Sequence, residues 1–554
     1  MVIWFQVSIW LSVALAGAEL AARAGTWSRR LLAWLLGGIA ISQIIAAWLG
    51  QGTYYALLVL GAWIAIRTLA MPAARDSSRA RLSNALVTGG GFFGTGFALS
   101  AGWLLPRLDV LARSNRAAGA DVGSSAWAAS QIGFSPEDLL REVLGGYTGS
   151  QWWYAGATAT ALAVMAPVVA RHWRPIWFFV FLALGSLTLA LTPTTPLHVL
   201  LNRTLPFFEQ LHDHSRERIL IVYPLAVAML AGAFVTFLPK PKTLPVPILA
   251  AATLPTVLAV GGKLAPDAAL MLSDGMIALL LAASILTVLS VLLPMSLPRA
   301  AILAAVVALI VWDPGGRILA HGFVDQTRLS TSLRHSLARD TDEFLRRNDA
   351  AQFVSEATRA SPGRYAGYDP ELLPDPETIE VIPPEIGYRN ALAEPGVNEL
   401  LVFNWATWFG IDDVQGYNPV QVERYVEYID ALNGHRQEYH ERDIFPAGLV
   451  SPLLDLLNTR YLMVPANAPQ RVELDTLLAA MPTVYTDTQV RILENPEAFP
   501  RAWLVHEARQ VAPGEALPLL DDGSSDPRQV ALLETTPPPW RGHRWRVAKP
   551  SSSG

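Results

Sequence analysis

Cysteine is absent from all 554 residues, which excludes disulfides, thiolate zinc sites and cysteine nucleophiles. Charge is scarce as well. Asp, Glu, Lys and Arg make up 16% of the chain, against about 25% in an average soluble protein. No basic excess compensates: the net charge is −5, so a nucleic-acid partner is not suggested. The GxxxxGK[ST] phosphate loop, the HExxH zinc motif and the GxSxG elbow are all missing. No internal repeat is visible. Met1 opens directly into an apolar run without a basic n-region or a cleavage site, so no signal peptide is expected.

What is present is hydrophobic and unevenly spread. Hydrophobic residues are 52% of the chain. Residues 1–312 form a series of apolar runs, whereas 313–554 have ordinary globular composition. Ten stretches approach the roughly twenty residues needed to cross a bilayer: 1–20, 31–49, 54–69, 85–105, 152–169, 175–191, 219–238, 243–260, 276–293 and 300–312. With Met1 outside, the inner loops collect Arg23, Arg29, Arg30, Arg67, Arg75, Arg79, Arg81, Arg171, Arg174, Lys240, Lys242 and Arg299. Asp76 is their only acid. This one-sided distribution predicts that both long loops (106–151 and 192–217) and the C-terminal half lie outside. Trp103, Trp152, Trp153 and Tyr154 then form an aromatic belt at the outer interface.

The C-terminal half alternates helix and strand signals. Helices are predicted at 326–347, 419–433 and 452–458, and strands at 378–382, 399–403, 460–464, 489–493 and 502–505. The fold class that follows is a polytopic α-helical membrane protein, with a transmembrane helical domain at 1–312 and an extracytoplasmic mixed α/β domain at 313–520. The tail at 521–554, rich in Ser, Pro and Asp, is expected to be poorly ordered.

Candidate site residues concentrate at 201–238. There His212, Asp213, His214, Arg216, Glu217 and Arg218 run straight into an apolar span. Guanidinium forks match phosphate oxygens, so Arg203, Arg216 and Arg218 are candidates to grip a phosphate, the alternative being anchoring to lipid headgroups. His212 and His214, with Asp213, could hold a divalent metal, although adjacent residues rarely ligate one ion without a further ligand. Asp109, Arg113 and Arg116 sit just outside the fourth span. Asp109 and Arg113 fall on one helix face, as a surface ion pair would. Asp412-Asp413, between Gly410 and Gly416, could share acid/base work but reads more simply as a solvated turn. Glu19 can reach the interface and needs no functional role.

Several stretches together resemble the bacterial YfhO-like membrane proteins, a branch of the GT-C-type glycosyltransferases. They are GQGTYYALLVLGAW at 50–63, LLPRLDVLARSNR at 104–116, GGYTGSQWWYAG at 145–156, RERILIVYPLAVAMLAG at 216–232, DVQGYNPVQVERYVEYIDAL at 413–432, LLDLLNTRYLMVP and VRILENPEAFPRAWLV. The resemblance implies a GT-C-like enzyme in the bacterial cytoplasmic membrane. It would transfer a hexosyl group from a polyprenyl-phosphate-linked donor to a cell-envelope polymer or lipid acceptor on the outer face. A carboxylate, with Asp109 and Asp213 as candidates, would deprotonate the acceptor. Arg116, Arg203, Arg216 and Arg218 would bind substrate, with Arg218 at the position that matches the family's arginine-containing segment. The family pattern also includes an earlier span with an acidic outer loop, and a later β-rich segment and final span. The chain therefore reads as a piece of that pattern, possessing or lacking activity. Two rival readings are a non-catalytic protein that binds or moves lipid-linked sugars and envelope glycans, and a structural assembly subunit with an outer recognition domain.

Overall fold

The computed structural model describes residues 2–71, 77–115, 133–144, 155–191, 194–212, 216–237, 304–305, 307–308, 348–368, 400–401, 404–418, 420–437, 441–468, 471–536 and 546–547. The chain divides into two compact units. The first comprises Met1–Leu108 with Gly123–Thr327, and the second Asp109–Val122 with Arg328–Gly554.

The first unit is helical. Four helical stretches are long and apolar enough to cross a membrane: Trp4–Ala22, Trp27–Ala47, Gln51–Ala70 and Arg216–Phe237. They belong to α1 (Val2–Ala22), α2 (Trp27–Ala47), α3 (Gln51–Ala65) with a π-helical turn at Ile66–Ala70, and a 3-10 turn at Arg216–Val222 that leads into a later helix. Between them come α4 (Ser78–Ala112), α5 (Pro136–Leu144), α6 (Ala157–Val169), α7 (Ile176–Leu189), α8 (Pro196–Thr204) and α9 (Phe208–His212). The later helix, α10, spans Tyr223–Phe237. The expected stretches at 1–20, 31–49, 54–69, 85–105, 152–169, 175–191 and 219–238 thus each overlap a helix. Those at 243–260 and 276–293, and nearly all of 300–312, lie outside the described residues. So do the helix expected at 326–347 and the strand at 378–382.

These helices bury one apolar face and leave another apolar face exposed. On α2, Ala40, Ile41, Ile44 and Ile45 are buried while Leu31, Leu32, Leu35 and Ile39 are exposed. A water-soluble helix would carry polar residues on that outer stripe; an apolar one suits hydrocarbon. Small residues let the inner backbones approach. A Cβ on Gly37 would fall 1.8 Å from the Phe92 ring, and one on Gly96 would fall 2.5 Å from Ile41. Phe92 itself is fully buried. Glu19, near the end of α1, is gripped by Arg67 through Nε at 2.7 Å and Nη2 at 2.9 Å, and by Arg23 at 2.7 Å. Charges in an apolar stretch persist when paired, and this cluster is a structural one.

The expected span at 219–238 begins differently from an ordinary helix. Pro224 has no N–H and its ring would strike the carbonyl four residues back, which disfavours a regular α-helix through the preceding turn. Residues Arg216–Val222 tighten into a 3-10 turn instead. Ser8 Oγ caps one of the carbonyls there, that of Ile221, at 2.8 Å.

The second unit is a mixed α/β fold. Strands β1 (Arg364–Gly367), β4 (Thr459–Pro465), β6 (Val490–Glu494) and β5 (Thr483–Thr486) form a sheet in that spatial order; β1 is parallel to β4 and the other neighbours are antiparallel. Alternation along the strands serves two cores. Tyr365, Tyr461, Met463, Val490 and Ile492 face one side, beneath α11 (Asp349–Ala360). Ala366, Leu462, Val464 and Leu493 face the other. The other side is covered by α12 (Glu423–Asn433), α13 (Pro452–Leu456) and α14 (Val472–Ala480). Both faces of the sheet are therefore buried, which explains why β4 and β6 read as near-continuous apolar runs. A separate antiparallel pair joins β2 (Gly416–Tyr417) to β3 (Glu441–Arg442).

Three expectations in this unit need correction. The stretch 399–403 is expected to be a strand, but Leu400 and Leu401 sit in a turn, with Leu401 at φ 57°. The strand expected at 502–505 is irregular. The nearby strand is β7 (Glu507–Gln510), with Leu504 left outward at 89% exposure. The tail is expected to be poorly ordered from Asp521, yet β8 (Val530–Leu533) pairs in parallel with β7, as does β9 (Arg546–Val547). Its polar composition hid the four-residue apolar run VALL that edge pairing needs.

Candidate functional site

The first unit gathers polar side chains where α2 turns into α3. Gly50 takes φ 140°, a conformation that strains any residue with a Cβ. A Cβ on Gly52 would meet the Trp48 ring at 2.4 Å. Both glycines of the Gly50-Gln51-Gly52 run are thus needed for the chain to fold tightly over Trp48. Thr53 Oγ1 closes the turn on the Trp48 carbonyl at 2.7 Å. Gln51 is left buried at the start of α3.

Gln51 is spoken for at both ends. Its Nε2 donates to the Leu211 carbonyl. Its Oε1 accepts from Arg218 Nη1 at 3.0 Å. The Arg218 guanidinium also lies over the Trp48 ring, 5.7 Å from its centroid, a cation–π contact. Among the described residues no carboxylate pairs with Arg218. One amide and one aromatic ring hold the guanidinium in place and leave its charge unneutralised.

His212 lies behind this arrangement and is fully buried. The Leu189 carbonyl, 3.1 Å from Nε2, can only accept, so Nε2 carries a proton. Nδ1 is 2.8 Å from the Tyr55 hydroxyl. Phe208 stacks on the ring at 4.7 Å, and the His198 ring lies 5.5 Å away. The approach to Phe208 is a turn at Phe207, held at φ 62° and exposed, whose preceding carbonyl, that of Pro206, accepts from Tyr54 at 2.7 Å. Both imidazole nitrogens are engaged, so this ring acts as a bracket between α3, α7 and α9 in this arrangement. His214 and Asp213 lie outside the described residues.

The other expected residues part company. Arg216 is buried within the 3-10 turn. Arg203 is exposed in the last turn of α8, where a cation complements the helix dipole. Asp109 pairs with Arg113 at 3.0 Å, the side chains 59% and 74% exposed; such a surface pair contributes about 0–1 kcal/mol. Arg116 lies outside the described residues. Asp412 is exposed and pairs with Arg501. Asp413 departs from the expected solvated turn: the Asp412–Val414 segment bonds to Tyr365 along β1, which carries Asp413 inward. Burial pushes its carboxyl up to about 8, against the pull of the Gln415 and Val414 amides.

Sequence reasoning missed Gln51, Trp48, Tyr55 and His198 as partners of this cluster. The one available signal was an amide side chain between two glycines at the head of an apolar run. Comparison with protein-family models, curated proteins and solved structures returned no match.

Proposed function

We propose that the chain is a multi-pass bacterial membrane protein of the GT-C kind, whose C-terminal unit lies outside the cytoplasmic membrane and whose Arg218 holds the phosphate of a polyprenyl-phosphate-linked sugar. The observation that carries the reading is Arg218 itself: a cation at the head of a membrane-length apolar helix, positioned by Gln51 and Trp48, without a carboxylate partner among the described residues. A charge at that depth is costly unless an anion meets it, and lipid phosphate is the anion available there. In the transfer, the acceptor hydroxyl gives its proton to a carboxylate base and attacks the anomeric carbon as the bond to the phosphate oxygen breaks. The leaving phosphate takes the electron pair, and a guanidinium fork stabilises that developing charge. The acceptor is a cell-envelope polymer or lipid.

A second reading, binding or movement of lipid-linked glycans without chemistry, is favoured by one observation. Asp109, the one candidate base within the described residues, is tied up in an exposed ion pair with Arg113. Binding of a polyprenyl-phosphate analogue to purified wild-type and Arg218→Ala protein tests the shared phosphate role. Arg218→Ala is expected to weaken binding by about tenfold or more, equivalent to about 1.4 kcal/mol, while its melting temperature stays near that of the wild type. Equal binding by both proteins would overturn the role. Turnover of a labelled donor separates transferase from binder.

A further inference from the structure

The turn between α8 and α9 carries a cost that the phosphate site does not explain. Phe207 is held at φ 62° with its side chain 69% exposed. A bulky residue in the left-handed region costs free energy, and an exposed ring recovers none of it by burial. The conformation is fixed from both sides. The Tyr54 hydroxyl donates to the Pro206 carbonyl at 2.7 Å, and the Leu211 N–H donates to the Phe207 carbonyl at 3.1 Å. A single exposed apolar residue is ordinary on a protein surface; one held outward in a strained turn needs a reason.

The helix before that turn points to the reason. One face of α8 is inward: His198 is buried, and Leu197 and Leu201 pack against the core of the first unit. The opposite face carries Val199, Leu200, Arg203 and Thr204, all exposed, at the i, i+1, i+4, i+5 spacing of a single helix face. A helix on an aqueous surface would be polar there, yet Val199 and Leu200 are aliphatic and Leu200 is 55% exposed. The charge is of one sign. α8 contains no Asp or Glu, and among the described residues no carboxylate pairs with Arg203. At about 1.5 Å per residue α8 is about 14 Å long, under half of a hydrocarbon core of about 30 Å. It is long enough to lie along a membrane surface and too short to cross.

We infer that α8 and Phe207 form an interfacial lipid-binding element, with Val199, Leu200 and Phe207 among the acyl chains at the edge of one leaflet and Arg203 on the lipid phosphates. Apolar side chains beside a cation suit that boundary, where chains and phosphates meet. The aliphatic stem of Arg203 lies along the chains while its guanidinium reaches the headgroups. Lipid is the occupant that the neighbouring surface favours: α7, which precedes α8, leaves Phe181 71% exposed on an apolar helix. Immersion removes the exposed apolar surface of Phe207 from water and so offsets the strain of its turn. The inference rests on the reading that the first unit crosses a membrane, and not on the role of Arg218.

Because the chain has no cysteine, single substitutions can carry one spin label each. Leu200→Cys, Phe207→Cys and Phe181→Cys are prepared in the full chain, labelled and placed in nanodiscs of phosphatidylglycerol and phosphatidylcholine. Collisions with dissolved oxygen, which concentrates in hydrocarbon, are compared with collisions with a water-soluble nickel chelate. The Phe181 label reports whether the first unit is in the bilayer. The Leu200 and Phe207 labels are expected to favour oxygen over nickel, at a shallower depth than Phe181. Arg203→Glu, which sets a carboxylate against the phosphates, is expected to shift the Leu200 label toward water. Nickel-accessible labels at Leu200 and Phe207, with Phe181 in hydrocarbon, would overturn the inference and leave the membrane reading standing. A nickel-accessible Phe181 label would remove both. Exclusion of both colliders from Leu200 and Phe207 would mean that protein covers the face, and would overturn the inference too. An unchanged Leu200 depth in Arg203→Glu would overturn the phosphate contact.

Discussion

Arg218 Nη1 and Gln51 Oε1 meet at 3.0 Å across 167 residues of sequence. The contact joins the head of one membrane-length helix to the 3-10 turn that precedes another. Because the same amide donates to the Leu211 carbonyl, Gln51 fixes the segment before the 3-10 turn as well as the guanidinium within it. A small, uncharged side chain thus positions a cation without neutralising it.

Gln51→Leu removes both bonds and strands a part-buried carbonyl. A loss of about 1–3 kcal/mol is expected, the cost of leaving a buried polar group unpaired. Thermal melting of purified protein in detergent reads it. Binding of the polyprenyl-phosphate analogue should also fall, because Arg218 loses its orientation; an unchanged melting curve would remove Gln51 from this role.

Gly37→Ala places a methyl inside the Phe92 ring. Overpacking of a tight interior costs about 1–3 kcal/mol. The double variant Gly37→Ala with Phe92→Leu should recover part of that loss, since the flexible leucine can turn away. Non-additive melting temperatures across the two single variants and the double variant measure the coupling.

Asp413 makes stability depend on pH in a stated direction. Its carboxyl is raised from 3.8 to about 8 by burial, so the folded chain holds the proton more tightly than the unfolded one. The corresponding stabilisation is complete below about pH 4 and is lost as pH rises through about 8. Melting of the wild type should therefore fall between pH 6 and pH 9 relative to Asp413→Asn, which can still accept the Gln415 amide through Oδ1. Parallel slopes for the two proteins would show that Asp413 does not titrate in that window.

The topology proposed from basic residues is open to reporter fusions. A fusion at Pro362 should report the outer side and one at Gly25 the inner side. A cytoplasmic signal at Pro362 would place the C-terminal unit on the other face and remove the outer-face reading with it.

The sequence by itself located the apolar runs that became helices in the first unit and central strands in the second, because hydrophobic length is a local property. Runs 1–20 and 31–49 became α1 and α2. TRYLMVP and VRILE became β4 and β6 because residues on both faces had a core to enter. It also marked Arg218, since a charge beside an apolar span stands out. What it could not supply was partnership. Nothing in the sequence tied Gln51 to Arg218, which the turn over Trp48 brings to it. Nor could it show that the His212 ring meets the Tyr55 hydroxyl and the Leu189 carbonyl. Asp412 and Asp413 looked alike, yet pairing with β1 turned one outward to Arg501 and the other into the interior. Solvation, charge and hydrogen-bonding capacity depend on which distant atoms arrive within about 3 Å, and only the tertiary structure decides that.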